Sequence, residues 1–159
     1  MIAHWPAGIS AEKGSITDQP AHLIDFMATC IDVGEGEYPE SWPEVDLEPL
    51  QGKSLKPIFK GEKREPHDFL YFHFSDNRAI RKGKWKVVTH KASQWELYDI
   101  EKDGTEMNNL ADQHPEKVEE LSKLWHESAE KVDHLKGKAI KPVSGKAPPK
   151  LAKDGRPIK

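Results

Sequence analysis

The feature that most constrains this chain is the run Phe69-Leu70-Tyr71-Phe72-His73-Phe74. Six residues this dense in aromatics are too few for a stable helix, and such side chains favour a pleated surface. The run therefore reads as a mostly buried strand, the core strand of a sheet. After a polar turn at Ser75 to Asn77, Ala79 to Arg81 gives a second short strand and Lys82-Gly83 a tight turn. Trp85 to Thr89 follows as a third strand with Trp85 and Val87 on one face, and Trp95 to Ile100 as a fourth. Consecutive strands joined by short polar turns most simply form an antiparallel meander with one face covered. The cover is a helix opened by Pro115, whose stripe of Val118, Leu121, Trp125, Ala129 and Val132 faces away from Glu and Lys residues.

Upstream, Met1 to Trp5 reads as a short apolar strand ended by Pro6-Ala7-Gly8. A strand this short needs neighbours, and the segment reads as the remnant of something larger. Leu23, Phe26, Met27, Cys30 and Ile31 recur at three- and four-residue spacing, which predicts an amphipathic helix over 20–33. Asp18 or Thr17 is placed to cap it, Pro20 fits its first turn, and Gly34 with Gly36 can end it. The acidic, proline-containing stretch Glu35 to Glu48 reads as an extended surface loop, and Ser54 to Lys60 as one helical turn. The last segment, 136–159, holds four prolines, many lysines and almost nothing to bury, and is expected to be disordered.

Composition limits what such a chain can do. Of 159 residues, 36% are hydrophobic and 32% charged, with a mean hydropathy of −0.77. That supports one modest core and excludes a complete large hydrolase with deep central strands. No stretch approaches the roughly 20 apolar residues of a membrane span, and residues 1–30 lack a signal-peptide pattern. The tail carries eight basic side chains against Asp154, a net +7, which leaves −10 on residues 1–135 out of the chain total of −3. An acidic body without a recognition motif argues against nucleic acid as partner.

Candidate chemistry is sparse. Cys30 excludes an intramolecular disulfide and, on the apolar stripe with no basic residue within four positions, reads as core packing rather than a nucleophile. The eight histidines show no His-x-x-x-His spacing. His114 and His126 share a helix face but lie roughly 18 Å apart at 1.5 Å per residue, so no metal site is expected. His73 interrupts the aromatic strand and reads either as a hydrogen-bonded sheet histidine or as a pocket-lining group. Asn77-Arg78 with Arg81, Lys82, Lys84 and Lys86 places cations on a hairpin, either a solvated face or an anion-binding rim for sulfate- or phosphate-type oxyanions. Asp99, Glu101 and Asp103 read as turn acids.

Several segments resemble the closing third of the arylsulfatase family: Ile2-Ala3-His4-Trp5-Pro6-Ala7-Gly8-Ile9, Pro20 to Cys30, and Gly52-Lys53-Ser54-Leu55-Lys56-Pro57-Ile58. Asn77 to Lys86, Trp95 to Asp99, Glu106 and Asn109-Leu110-Ala111 continue it in the family's order, so the resemblance covers roughly 1–135. The resemblance implies an α+β chain in three parts. Residues 1–65 would be a strand, helix and surface loop left from a large α/β sulfatase domain of alkaline-phosphatase-like type. Residues 66–135 would be a small four-stranded antiparallel sheet with a covering helix, and 136–159 the basic tail. It further implies a parent that hydrolyses sulfate esters with formylglycine and calcium, exported to the periplasm or secreted. The C/S-x-P-x-R signature is missing, since Ile31-Asp32-Val33 follows Cys30, and the calcium carboxylates would lie upstream. The chain alone is thus expected to hold no catalytic or metal residue and to have the N-terminal sulfatase domain as its partner. Many arylsulfatases carry a tryptophan, an acid and a histidine before the Asn-Arg pair, whereas Phe72-His73-Phe74-Ser75-Asp76 shifts the histidine by one position and hence one strand face. His73, Asn77 and Arg78 remain as the substrate-rim candidates. The alternative from another class is a stand-alone, non-catalytic module that binds sulfated glycans or a protein through its basic hairpin and tail.

Overall fold

The computed structural model describes residues 1–132 and Gly145. The expected disordered tail at 136–159 falls, apart from Gly145, outside the described residues. The elements are α1 (Asp25–Val33), β1 (Ser41–Trp42), β2 (Val45–Asp46), α2 (Lys56–Phe59), β3 (Leu70–Phe74), β4 (Asn77–Lys82), β5 (Trp85–Thr89), β6 (Glu96–Asp99) and α3 (Pro115–Val132). The chain divides into two compact units, Met1–His67 and the part from Asp68 onward.

In the first unit the helix begins at Asp25, five residues later than its periodicity predicts. The segment before it is held from outside: the Arg64 guanidinium donates to Pro20 O at 2.7 Å, and the Asp25 carboxylate turns back to accept the His22 N–H at 2.8 Å. Those bonds replace the intrahelical ones that Pro20 to Ile24 would have made, and neither Thr17 nor Asp18 caps the helix, whose N-cap is Ile24. At the other end Gly34 has φ −85°, and the left-handed position is taken by Glu35 at φ 52°. Residues 1–5 are not a strand and have no ladder partner. Five residues cannot form a sheet alone. The acidic loop carries a two-stranded ladder, β1 on β2, around Pro43-Glu44 with Glu44 at φ 67°. The reading of that stretch as plain extended loop missed it.

The inward face of α1 is polar. Asp25 and Thr29 are its buried residues. The Thr29 hydroxyl donates to Asp25 O at 2.6 Å and accepts the Leu55 N–H at 2.9 Å, tying α1 to the start of α2. The apolar stripe therefore points outward: Leu23 is 73% exposed, Met27 58% and Phe26 44%. Cys30 is exposed with it, which corrects the expectation that it packs in a core.

The second unit is the expected antiparallel meander, in the order β3-β4-β5-β6. Both two-residue hairpins have a first loop residue at positive φ, Ser75 at 56° and Gly83 at 58°, the sense that suits the strand twist. Register aligns Tyr71, Ile80, Val87 and Leu97 in one row across the sheet. Onto this row α3 lays Leu121, Trp125 and Ala129, and with Trp95 these residues form the core. Burial of each such large side chain contributes about 1.5–3 kcal/mol. The next row, Phe72, Ala79, Val88 and Glu96, faces away from α3. The aromatic strand is therefore an edge strand, not the central one. Alternation sends Tyr71 and His73 toward α3 and Phe72 and Phe74 to the other face, where Phe74 is 80% exposed.

Candidate functional site

The three expected rim residues lie at one end of the sheet, where β3 turns into β4. His73 is paired with Arg78 and Phe74 with Asn77, so His73 and Arg78 share the α3 face and Asn77 takes the other. Arg78 is 3% exposed, with its guanidinium carbon 4.9 Å from the centroid of the Trp125 ring. The His73 ring meets the same indole edge-on at 5.1 Å, and Tyr71 stacks on it at 5.5 Å. Burial, followed by the Arg78 charge, pushes the imidazole of neighbouring His126 below its usual range. Asn77 works locally: its Oδ1 accepts the Lys91 N–H at 3.0 Å.

The remaining hairpin cations are engaged within the chain. Arg81 Nε–H donates to Gly83 O at 2.9 Å, Lys82 pairs with Glu120 at 3.0 Å, Lys84 with Asp99 at 2.9 Å, and Lys86 with Glu106. Exposed pairs of this kind contribute little to stability, but each places a carboxylate where an oxyanion ligand would have to bind.

Sequence reading missed the most strongly built polar cluster, which surrounds Asp25. Its Oδ1 accepts the Lys53 N–H at 2.9 Å and His67 Nε2–H at 2.7 Å. Its Oδ2 accepts the His22 N–H at 2.8 Å and Arg64 Nη2–H at 2.9 Å. Arg64 also donates to Lys53 O at 2.7 Å. Burial pushes the Asp25 carboxyl up. The Lys53 and His22 N–H groups, then Arg64 and His67, outweigh it and hold the carboxyl at about 2. The chain at Gly52 passes so close that a Cβ there would lie 2.1 Å from Ile24 O. With all four acceptor directions filled, this is a structural clasp joining three loops rather than a site with room for a ligand.

The described residues do not fit the calcium and formylglycine implied by the resemblance. Calcium takes about six to eight oxygen ligands, whereas among the described residues no three His, Cys, Asp or Glu side chains are grouped to hold a metal. Asp25, the most buried carboxylate of the first unit, is saturated by N–H donors. Nor is any helix among the described residues long and apolar enough to cross a membrane.

A four-stranded antiparallel meander under one long helix makes the second unit an α+β fold, and the unit before it in the chain leaves an apolar helix face open. The structure of Ps i-CgsB in complex with a neocarrahexaose shares the fold, at a TM-score of 0.60 over 79% of this chain and 27% of that one, with 23% identity. The family described as N-sulphoglucosamine sulphohydrolase, C-terminal, matches residues 1–135, and the chain belongs to it. An N-acetylglucosamine-6-O-sulfatase of Bacteroides thetaiotaomicron is 28% identical over 144 residues, 80% of this chain and 24% of that protein. An uncharacterized sulfatase of Schizosaccharomyces pombe is 30% identical over 122 residues, 69% of this chain and 21% of its own length. The chain thus spans between a fifth and a quarter of the length of these two relatives.

Proposed function

We propose that this chain is the C-terminal part of a sulfuric ester hydrolase, packing against an N-terminal catalytic domain and helping to shape its active site. The catalytic domain would supply the formylglycine and calcium and would be exported with this part. The carrying observation is the open apolar surface made by Leu23, just before α1, with Phe26 and Met27 on α1, a helix whose inward face is polar. Apolar surface of this kind is rare on a soluble monomer and marks a face that another layer covers. In this reading the β3–β4 end that carries His73, Asn77 and Arg78 borders the substrate rim, with the Arg78 side chain buried against Trp125 beneath it. Membership of the sulfatase C-terminal family supports it, as does the match of most of this chain to only 24% of a sulfatase's length. The alternative glycan-binding module is less favoured because the hairpin cations are matched by Glu120, Asp99 and Glu106.

The test uses the polypeptide encoded upstream of Met1, produced separately and mixed with the chain. Co-elution, with turnover of a chromogenic aryl sulfate in calcium only for the mixture, is expected. Turnover by the chain alone that survives repurification overturns the reading. Retention of the chain alone on a sulfated-glycan column, without binding to the upstream polypeptide, would favour the module.

A further inference from the structure

The β1–β2 hairpin of the first unit presents apolar side chains to solvent. Trp42 stands opposite Val45 in its short ladder, so the two side chains share one face, and they are 69% and 60% exposed. The frame beneath them is fixed. Leu47 N–H donates to Glu40 O at 2.9 Å, and Glu44 turns the loop at φ 67°. An indole mounted on a closed ladder gives up little freedom when a partner packs on it, and tryptophan is among the residues that most often dominate an interface.

Charge narrows the kind of partner. Glu35, Glu37, Glu40, Glu44, Asp46 and Glu48 are all exposed, and the stretch from Gly34 to Leu50 contains no basic residue. None of these carboxylates enters an ion pair among the described residues. The second unit is different, since its hairpin cations Lys82, Lys84 and Lys86 each meet a carboxylate. Uncompensated negative charge around an exposed apolar pair repels acidic surfaces and selects a segment that carries cations with apolar side chains between them. Residues 136–159 have that composition: eight basic side chains against Asp154, with Ile140, Val143, Leu151 and four prolines spaced among them. Proline-rich segments dock on aromatic faces, which Trp42 offers, while the lysines meet the carboxylates on either side. We propose that the β1–β2 hairpin docks segment 136–159 of a second copy of this chain. Each copy carries one hairpin and one such segment, so the contact is head-to-tail. It uses neither the apolar surface of α1 nor the β3–β4 end, and so stands or falls apart from the function proposed above.

The test is fluorescence anisotropy of a labelled synthetic peptide with the sequence of residues 136–159, titrated with the full chain at low salt. Saturable binding with a Kd on the order of 100 µM is expected, weak enough to add nothing to association at micromolar concentration. Raising the salt to about 0.5 M should weaken it at least about tenfold. Trp42→Ala should weaken it at least about fivefold, and the triple variant Glu40→Gln/Glu44→Gln/Asp46→Asn by a similar factor. All four positions are exposed, so both variants should keep the melting temperature of the wild type. Glu119→Gln/Glu127→Gln/Glu130→Gln removes as much charge from the exposed face of α3 and should bind the peptide like the wild type. Absence of saturable binding overturns the proposal. An α3 variant that loses as much affinity as the hairpin variant also overturns it, because the peptide would then follow the acidic charge of the whole body. So does Trp42→Ala binding like the wild type, or an octalysine peptide binding as tightly as 136–159, since either result leaves the indole and the prolines without a part in recognition.

Discussion

Asp25 shows how much of the first unit hangs on one carboxylate. Removing its charge leaves Arg64 buried without its ionic partner, and loss of one member of a buried pair costs about 3–5 kcal/mol. Asp25→Asn should therefore lower the urea midpoint of the first unit and deprotect the Leu55 amide, which is held through Thr29 on the same helix. Amide hydrogen exchange reads this directly, and unchanged protection at Leu55 would count against the clasp. The acid limb follows from the same group. Its carboxyl titrates at about 2 in the folded chain against 3.8 as the reference, so its contribution is complete above pH 4. It is lost as the pH falls toward 2, and amounts to about 2 kcal/mol. Asp25→Asn should remove that part of the acid sensitivity. None of this was legible locally. Arg64 and His67 stand 39 and 42 residues from Asp25, and a pair so separated leaves no periodicity behind; only the Pro20 to Cys30 and Gly52 to Ile58 segments marked the neighbourhood as special.

At the scale of elements, α3 and the meander were readable because each signal is local. The 3.6-residue stripe from Val118 to Ala129 and the two tight turns decide them without reference to distant contacts. What was not readable is the order of exposure across the sheet. Six aromatic-rich residues look alike whether a strand is central or at an edge, and only the pairing of β4 on one side alone reveals β3 as the edge. The start of α1 failed for a related reason, because Arg64 captures Pro20 O from outside the periodic segment. Two substitutions separate the faces of the sheet. Trp125→Ala removes the indole at the centre of the core and its Nε1–H bond to Phe72 O at 3.1 Å. It should cost about 3–5 kcal/mol. Phe74→Ser alters an exposed position on the opposite face and should stay within about 0.5 kcal/mol. Thermal melts that rank the two the other way would contradict the assignment of faces.

For the molecule as a whole, the two units differ in whether they can satisfy themselves. The second has a sheet, a covering helix and a closed core. The first buries Leu55 beside its polar clasp but leaves much of its apolar surface outside, with Ile2 96%, Leu23 73% and Met27 58% exposed. Soluble monomers rarely leave contiguous apolar patches above a few hundred Å². The full chain, taken alone, is therefore expected to self-associate at micromolar concentration and to bind a hydrophobic dye, while a fragment from Asp68 to Val132 is expected to remain monomeric with less dye per mole. Light scattering and dye fluorescence on the two proteins give the comparison. Replacing Leu23 and Met27 together by Glu should make the full chain scatter less without unfolding it, because neither side chain contributes to a core. The substitution should also abolish co-elution with the upstream polypeptide. Both effects have one cause, since the surface that causes self-association in isolation is the surface a catalytic domain would cover. A double variant that still associates, or that still binds the upstream polypeptide, would move the docking surface elsewhere and leave the open sheet face at Phe72 and Phe74 as the next candidate.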